Sequence, residues 1–293
     1  MIPLTKKEQK SILIRLHPSR SLLAKGALME VERVLHDILP RWSRKLRARL
    51  DEWSREWFDA SKPGQLDGAV RQVIRPGKTY EALVESCGTS LYDGELGAVT
   101  LTGDYRGVYI ILIVNDWLFM QQPKQGGLIF GNDISIWVER KDVEGMPAAE
   151  WMSRAFATLC ESMDFMYGFA YSNGELYSKN ADERRGVGIG SYPSKHLPGL
   201  YWINFFGQPY VKLIGKNRLV TTPGVITKST PTGVIVQFGN EPLAWRTRGY
   251  RTAIEKALDH IGRQYFFDRQ APNRKTVAPP FRFKSIERDK GLL

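Results

Sequence analysis

The sequence predicts an α+β fold, a single domain over residues 1–293 with a central, mostly antiparallel sheet flanked by helices. Three observations predict it. Between residues 97 and 139 short segments rich in β-branched residues follow one another with only turn residues between them, which favours antiparallel pairing over crossover connections. Two stretches, 21–57 and 246–268, repeat their apolar residues at spacings of three and four, the period of a helix lying on a core. At 199–219 the pattern switches from strand to helix within a few residues.

The N-terminal region, 1–60, reads as helical. After a charged lead, Leu22, Leu23, Ala27, Leu28, Val31, Leu35 and Ile38 share one helical side. Pro40 interrupts, and Trp42, Leu46, Leu50, Trp53 and Trp57 continue the spacing, with Arg44, Lys45, Arg47, Arg49 and Arg55 off the stripe. Such charges serve either to face nucleic acid or to solvate the outer side of a packed helix, and the continuous apolar stripe favours packing. Loops follow at 61–64 and 75–77, marked by Pro and Gly.

Strands are expected at 97–102, 107–114, 128–130 and 134–139, with turns at Gly103-Asp104 and Gly126-Gly127. Ile134, Ile136 and Val138 alternate with Ser135, Trp137 and Glu139, the mark of a strand with one buried face. Pro147 stands at the head of a helix that buries Trp151, Ala155, Phe156, Leu159 and Met163, because its absent N–H would have had no partner there. A strand is expected at 165–171. Residues 171–197 are polar and lack periodicity, so they read as a long loop.

The block at 199–219, GLYWINFFGQPYVKLIGKNRL, begins as a buried strand. Gly207 breaks it, Pro209 opens a helix, and Gly215 ends the helix. Strands at 225–227 and 233–238 make a hairpin through Thr230-Pro231-Thr232-Gly233. A helix over 246–268 places Tyr250, Ile254, Leu258, Ile261 and Tyr265 on one face. The tail, 269–293, carries Pro279-Pro280 and is expected to be irregular.

With 42% hydrophobic and 25% charged residues the chain has the composition of a soluble globular protein. Its start lacks an apolar export segment, and its longest apolar run, 108–114, falls far short of the ~20 residues that span a bilayer. A cytoplasmic protein with no membrane association is expected. The two cysteines, Cys87 and Cys160, have no metal-type spacing and suit a reducing compartment. The net charge of +11 is uneven: residues 1–56 carry +6 and residues 246–293 carry +7, leaving the middle near neutral. Basic ends serve nucleic acid, an acidic partner or plain solvation.

No catalytic constellation emerges, so no catalytic, cofactor-binding or metal-binding residue is assigned and no cofactor is expected. His17, His36, His196 and His260 lack zinc-type spacing. Gly186-Val187-Gly188-Ile189-Gly190 lacks the ending of a phosphate loop. Glu139, Lys141, Asp142 and Glu144 make a loose nuclease-like carboxylate set, which a charged turn explains equally well.

The block LYWINFFG at 200–207, followed by Pro209-Tyr210-Val211 and Leu213-Ile214-Gly215, resembles one found in bacterial immunity proteins of type VI secretion and polymorphic-toxin systems. The order of elements over residues 80–240 is similar to theirs as well. The resemblance implies an effector-immunity pair in bacterial competition: a non-enzymatic toxin inhibitor that binds its cognate toxin by protein–protein interaction. A nuclease toxin of restriction-endonuclease type ranks first as partner, met in the cytoplasm. Nuclease inhibitors are often acidic mimics of nucleic acid, whereas this chain is basic at both ends. That departure implies inhibition by covering acidic metal ligands or by disrupting toxin assembly, with nucleic acid bound only non-specifically. No interface residue carries over. From the polarity of 171–196, the expected contact residues are Glu175, Tyr177, Asp182, Glu183, Arg184 and Arg185. The alternative is a nucleic-acid-binding protein that uses the basic ends, with a metal-dependent hydrolase behind it.

Overall fold

The computed structural model describes residues 10–19, 27–39, 54–59, 72–73, 97–105, 108–115, 133–143, 145–180 and 195–280. In chain order the elements are β1 (Ile12–Pro18), α1 (Ala27–Ile38), β2 (Ser54–Asp59), β3 (Gln72–Val73), β4 (Gly97–Tyr105), β5 (Val108–Asn115), β6 (Asp133–Val138), β7 (Asp142–Val143) and β8 (Met146–Pro147). There follow α2 (Ala148–Ser162), β9 (Phe165–Ser172), α3 (Asn173–Asn180), β10 (Ile203–Gly207), α4 (Gln208–Ile214), α5 (Lys216–Val220), β11 (Ile226–Ser229), β12 (Gly233–Gln237) and α6 (Arg248–Ile261). Single 3-10 turns at Ala244–Arg246 and Arg263–Tyr265 bracket α6. Helices packed with antiparallel strands make this an α+β protein, as the sequence predicts.

Where one domain was expected, the contacts outline two compact units. The first holds Met1–His17, Arg106–Val108 and Ser135–Phe281; the second holds Pro18–Tyr105, Tyr109–Ile134 and Arg282–Leu293.

In the first unit the strands run in the order β11-β12-β10-β9-β1-β6. β10 pairs antiparallel with both β9 and β12, and Phe205 stands opposite Gly168 on one side and Ile235 on the other. β9 and β10 are buried at every residue, and apart from Ser172 and Asn204 their sequences, FMYGFAYS and INFFG, lack the polar alternation of a strand with one wet face. Successive side chains leave a strand on opposite faces. Tyr167, Phe169, Tyr171, Phe206, Val234 and Val236 accordingly share one core cluster with Tyr210, Ile214 and Leu219 of α4 and α5, and with Tyr250, Ile254 and Ala257 of α6. α2 reaches the same strands through other contacts: Ser153 donates to Gln237 at 3.0 Å, Glu161 pairs with Lys228, and Thr232 donates to the Cys160 carbonyl.

The corner from β10 into α4 depends on Gly207, where a Cβ would collide with the Phe165 carbonyl oxygen. Pro209 sits in the first turn of α4, and Gly215 closes it at φ 100°, a conformation glycine adopts without a steric cost. The strand, corner and helix expected at 199–219 are all present.

The second unit contains α1, whose Val31, Val34 and Leu35 are buried together with Leu39 just beyond it, and strands in the order β5-β4-β2-β3. β2 pairs antiparallel with β4 along its whole length, from Ser54↔Thr102 to Asp59↔Gly97.

Several expectations are corrected. The helical N-terminal region contains β1, where Ile12, Ile14 and Leu16 are buried and Leu13 and Arg15 are not. The helix expected across 42–57 is a strand from Ser54 onward; residues 40–53 lie outside those described. A spacing of four, as between Trp53 and Trp57, is two strand periods and close to one helical turn, so pairing with β4 decides the matter. Gly103 and Asp104 lie inside β4 instead of forming a turn. The long helix expected to 268 ends at Ile261, where Gly262 takes φ 117°. Residues 269–280 contain no helix or strand, as expected for that part of the tail. The strand expected at 128–130 falls outside the described residues.

Candidate functional site

The expected contact loop is partly a helix. Ser172-Asn173-Gly174-Glu175 has the Ser-x-x-Glu spacing of a helix start, and the Glu175 N–H donates to Ser172 Oγ at 3.2 Å. Lys179 lies one turn beyond Glu175, a spacing that favours opposite charges. Both signals stood in the sequence, within a stretch read there as structureless.

Glu175 is not the exposed contact residue that its polarity suggested; it is fully buried. Its Oε1 accepts from Lys179 Nζ at 2.6 Å and from the Tyr250 hydroxyl at 2.7 Å. A buried carboxylate requires such partners, because burial strips away the water that stabilises its charge. Its Oε2 has no hydrogen-bond partner among the described residues. Lys179 also donates to the Leu200 carbonyl at 2.8 Å and stands 5.1 and 5.5 Å from the ring centres of Tyr201 and Tyr250. Burial first, then the Glu175 charge and hydrogen bond, push the Tyr250 phenol well above its usual range. It therefore remains a donor at any physiological pH. This network fastens α3 to α6 and to the segment entering β10. Tyr177 is half-buried on α3, while Asp182, Glu183, Arg184 and Arg185 lie outside the described residues.

Next to this network, α6 begins. The Thr247 side chain caps it by accepting from the Tyr250 N–H at 3.2 Å. The guanidinium of Arg246 lies 4.8 Å from the ring of half-buried Trp245. Arg251 donates to the carbonyls of Arg246, at 3.1 Å, and Thr247, at 3.5 Å. Arg248 opens the helix, and its first turn holds no acidic residue. The other end differs: Arg263 is gripped by Asp259 and Glu255, both at 2.6 Å. Sequence reasoning located the basic C-terminal region but did not single out these arginines.

The remaining chemical candidates do not converge. His17 is buried with its ring 6.4 Å from that of Phe169. His196 shares a hydrogen bond with Thr276 and is lowered from the usual histidine range by burial first and by Lys195 second. His260 Nε2 lies 2.9 Å from the Arg218 carbonyl oxygen. The Cys160 thiol is buried and pushed up chiefly by that burial. Asp142 is exposed on β7, and Glu144, Cys87 and residues 186–190 lie outside the described residues. Among the described residues no cluster of three or more His, Cys, Asp or Glu is arranged to hold a metal ion, and no helix is long and apolar enough to cross a membrane.

No family model matches the chain, and no curated protein matches it. Among solved structures it is similar to a Pseudomonas aeruginosa T6SS protein, at 10% identity and a TM-score of 0.46, over 88% of this chain and 79% of that one.

Proposed function

We propose that this protein is an immunity protein that binds a cognate type VI secreted toxin in the cytoplasm and neutralises it as a stoichiometric complex, without turnover. The observation that supports this reading most is the block over 200–215. It resembles immunity proteins in sequence, and it folds as the strand, glycine corner and helix expected of it. Its large side chains, including Tyr201, Trp202, Phe205, Phe206 and Tyr210, are fully interior. The block is thus scaffold, and recognition falls to surfaces displayed around it. A nuclease toxin of restriction-endonuclease type is the first-ranked partner.

The test is co-expression with the toxin-like product of the adjacent gene. Growth rescue is expected together with co-elution on gel filtration, since specific complexes bury about 1,200–2,000 Å². Rescue at sub-stoichiometric levels without a complex would mean an enzymatic mechanism and end the binding reading.

The second reading, a nucleic-acid-binding protein, draws on the stacked Trp245–Arg246 pair and the neighbouring Arg248 and Arg251, since arginine and aromatic faces suit phosphates and bases. Under the immunity reading duplex DNA binds weakly and dissociates steeply as salt rises. Sequence-selective binding that persists at roughly 200 mM salt would favour the second reading.

A further inference from the structure

We propose that the surface formed by Leu243, Trp245, Arg246, Arg248 and Arg251, where α6 begins, docks an acidic face of a folded protein partner. The inference rests on the immunity reading and gives the chemistry of its contact.

Helix position is the first argument. A helix start carries partial positive charge, so cations are unfavourable there and favourable at the other end. Lys212 and Arg218 lie in the last turns of α4 and α5, where the helix itself accounts for them. Arg263, beyond the end of α6, is held by two carboxylates. Arg248 and Arg251 occupy the unfavourable end, and neither is ion-paired to a carboxylate of the described residues. Among the described residues no carboxylate offsets these two charges, and Arg251 meets only backbone carbonyls. An acidic partner would offset them.

The second argument is order. Arg251 is held by two backbone carbonyls and Arg246 rests on Trp245, so little side-chain freedom remains to be lost on binding. Beneath them, Tyr250 ties the same helix turn to buried Glu175. Leu243 is 42% exposed beside them. Trp and Arg around an exposed apolar residue are the composition of a protein-contact centre.

A polyanion is less well matched. Glu241 precedes the patch, and Glu255 and Asp259 follow it along α6, all exposed. An extended phosphate backbone would have to cross these carboxylates, whereas a compact acidic face would not.

The experiment uses the full chain carrying Arg248→Glu and Arg251→Glu, with the toxin-like product of the adjacent gene and a short duplex DNA as probes. The substitutions place acids where the helix favours them but remove the Arg251 hydrogen bonds and set a like charge one turn before Glu255, so the variant is expected to melt near the wild-type temperature. Its Kd for the toxin is expected to rise on the order of 100-fold. Lys212→Glu with Lys216→Glu, the same charge change elsewhere, is expected to bind as wild type. Trp245→Ala supplies an uncharged check, with a loss of about tenfold or more. If Arg248→Glu/Arg251→Glu binds the toxin as wild type does, the inference fails while the immunity reading stands. Failure of the wild-type protein itself to bind would remove both. Loss of DNA affinity with toxin binding intact would reassign the surface to nucleic acid.

Discussion

Two buried polar networks share one aromatic core, and they are built on opposite principles. Around Asn204 everything is neutral and paired. Its side-chain carbonyl accepts from the Tyr201 N–H at 3.0 Å and from the Tyr167 hydroxyl at 3.3 Å, and its amide donates to the Tyr201 carbonyl at 2.7 Å. Around Glu175 the network is charged and incomplete, with one carboxylate oxygen lacking a partner among the described residues. The Asn204 network shapes the backbone that leads into β10, and it lies wholly inside. The Glu175 network ties two helices together and reaches the surface through Lys179, which is 29% exposed. A neutral, satisfied network serves the fold alone. A charged one at the edge of the core also fixes whatever surface stands above it, here the start of α6.

Breaking the charged network should cost most. Lys179→Met leaves the Glu175 carboxylate buried without a counter-charge, and a loss of about 3–5 kcal/mol is expected in urea unfolding. The double variant Lys179→Met/Glu175→Leu should recover most of that, because removing both charges leaves none uncompensated. No recovery would mean that Glu175 holds its place for reasons other than charge.

The neutral network should fail more gently. Asn204→Ala removes the side chain that bonds the buried Tyr201 N–H and carbonyl, while Tyr167 keeps its bond to the Gly199 carbonyl at 3.0 Å. About 2–3 kcal/mol of stability should be lost. A loss equal to that of Lys179→Met would erase the distinction drawn between the two networks.

The smallest effect is a slope with pH. Burial pushes the phenols of Tyr167 and Tyr250 well above their usual range. The folded state therefore keeps protons that the unfolded chain releases from about pH 10 upward. Their contribution is complete below that pH and declines above it, by at most ~1.4 kcal/mol per pH unit for each phenol. Tyr250→Phe and Tyr167→Phe should each flatten the alkaline limb of a stability-against-pH curve by one such share. Equal slopes in wild type and both variants would show that neither phenol is shielded in solution.

The glycine corner, the helix that buries Trp151 and Phe156, and the hairpin through residues 230–233 were all legible in sequence, because each is a local decision. Gly207, Pro209 and Gly215 set backbone angles on their own, and a three-and-four apolar spacing states which side of a helix is buried. Residues 54–59 and 173–180 were not legible. The aromatic spacing around Trp57 suits either period, and only the partner strand at 97–102 settled it. Glu175 looked like surface because a carboxylate is soluble by itself. Its burial depends on Lys179, four residues on, and on Tyr250, seventy-five residues away. The same holds for Arg248, Arg251 and Arg263, equal in sequence as basic residues, of which only Arg263 is ion-paired among the described residues. Backbone geometry and periodicity are properties of neighbouring residues, whereas the worth of a charge depends on what surrounds it in space.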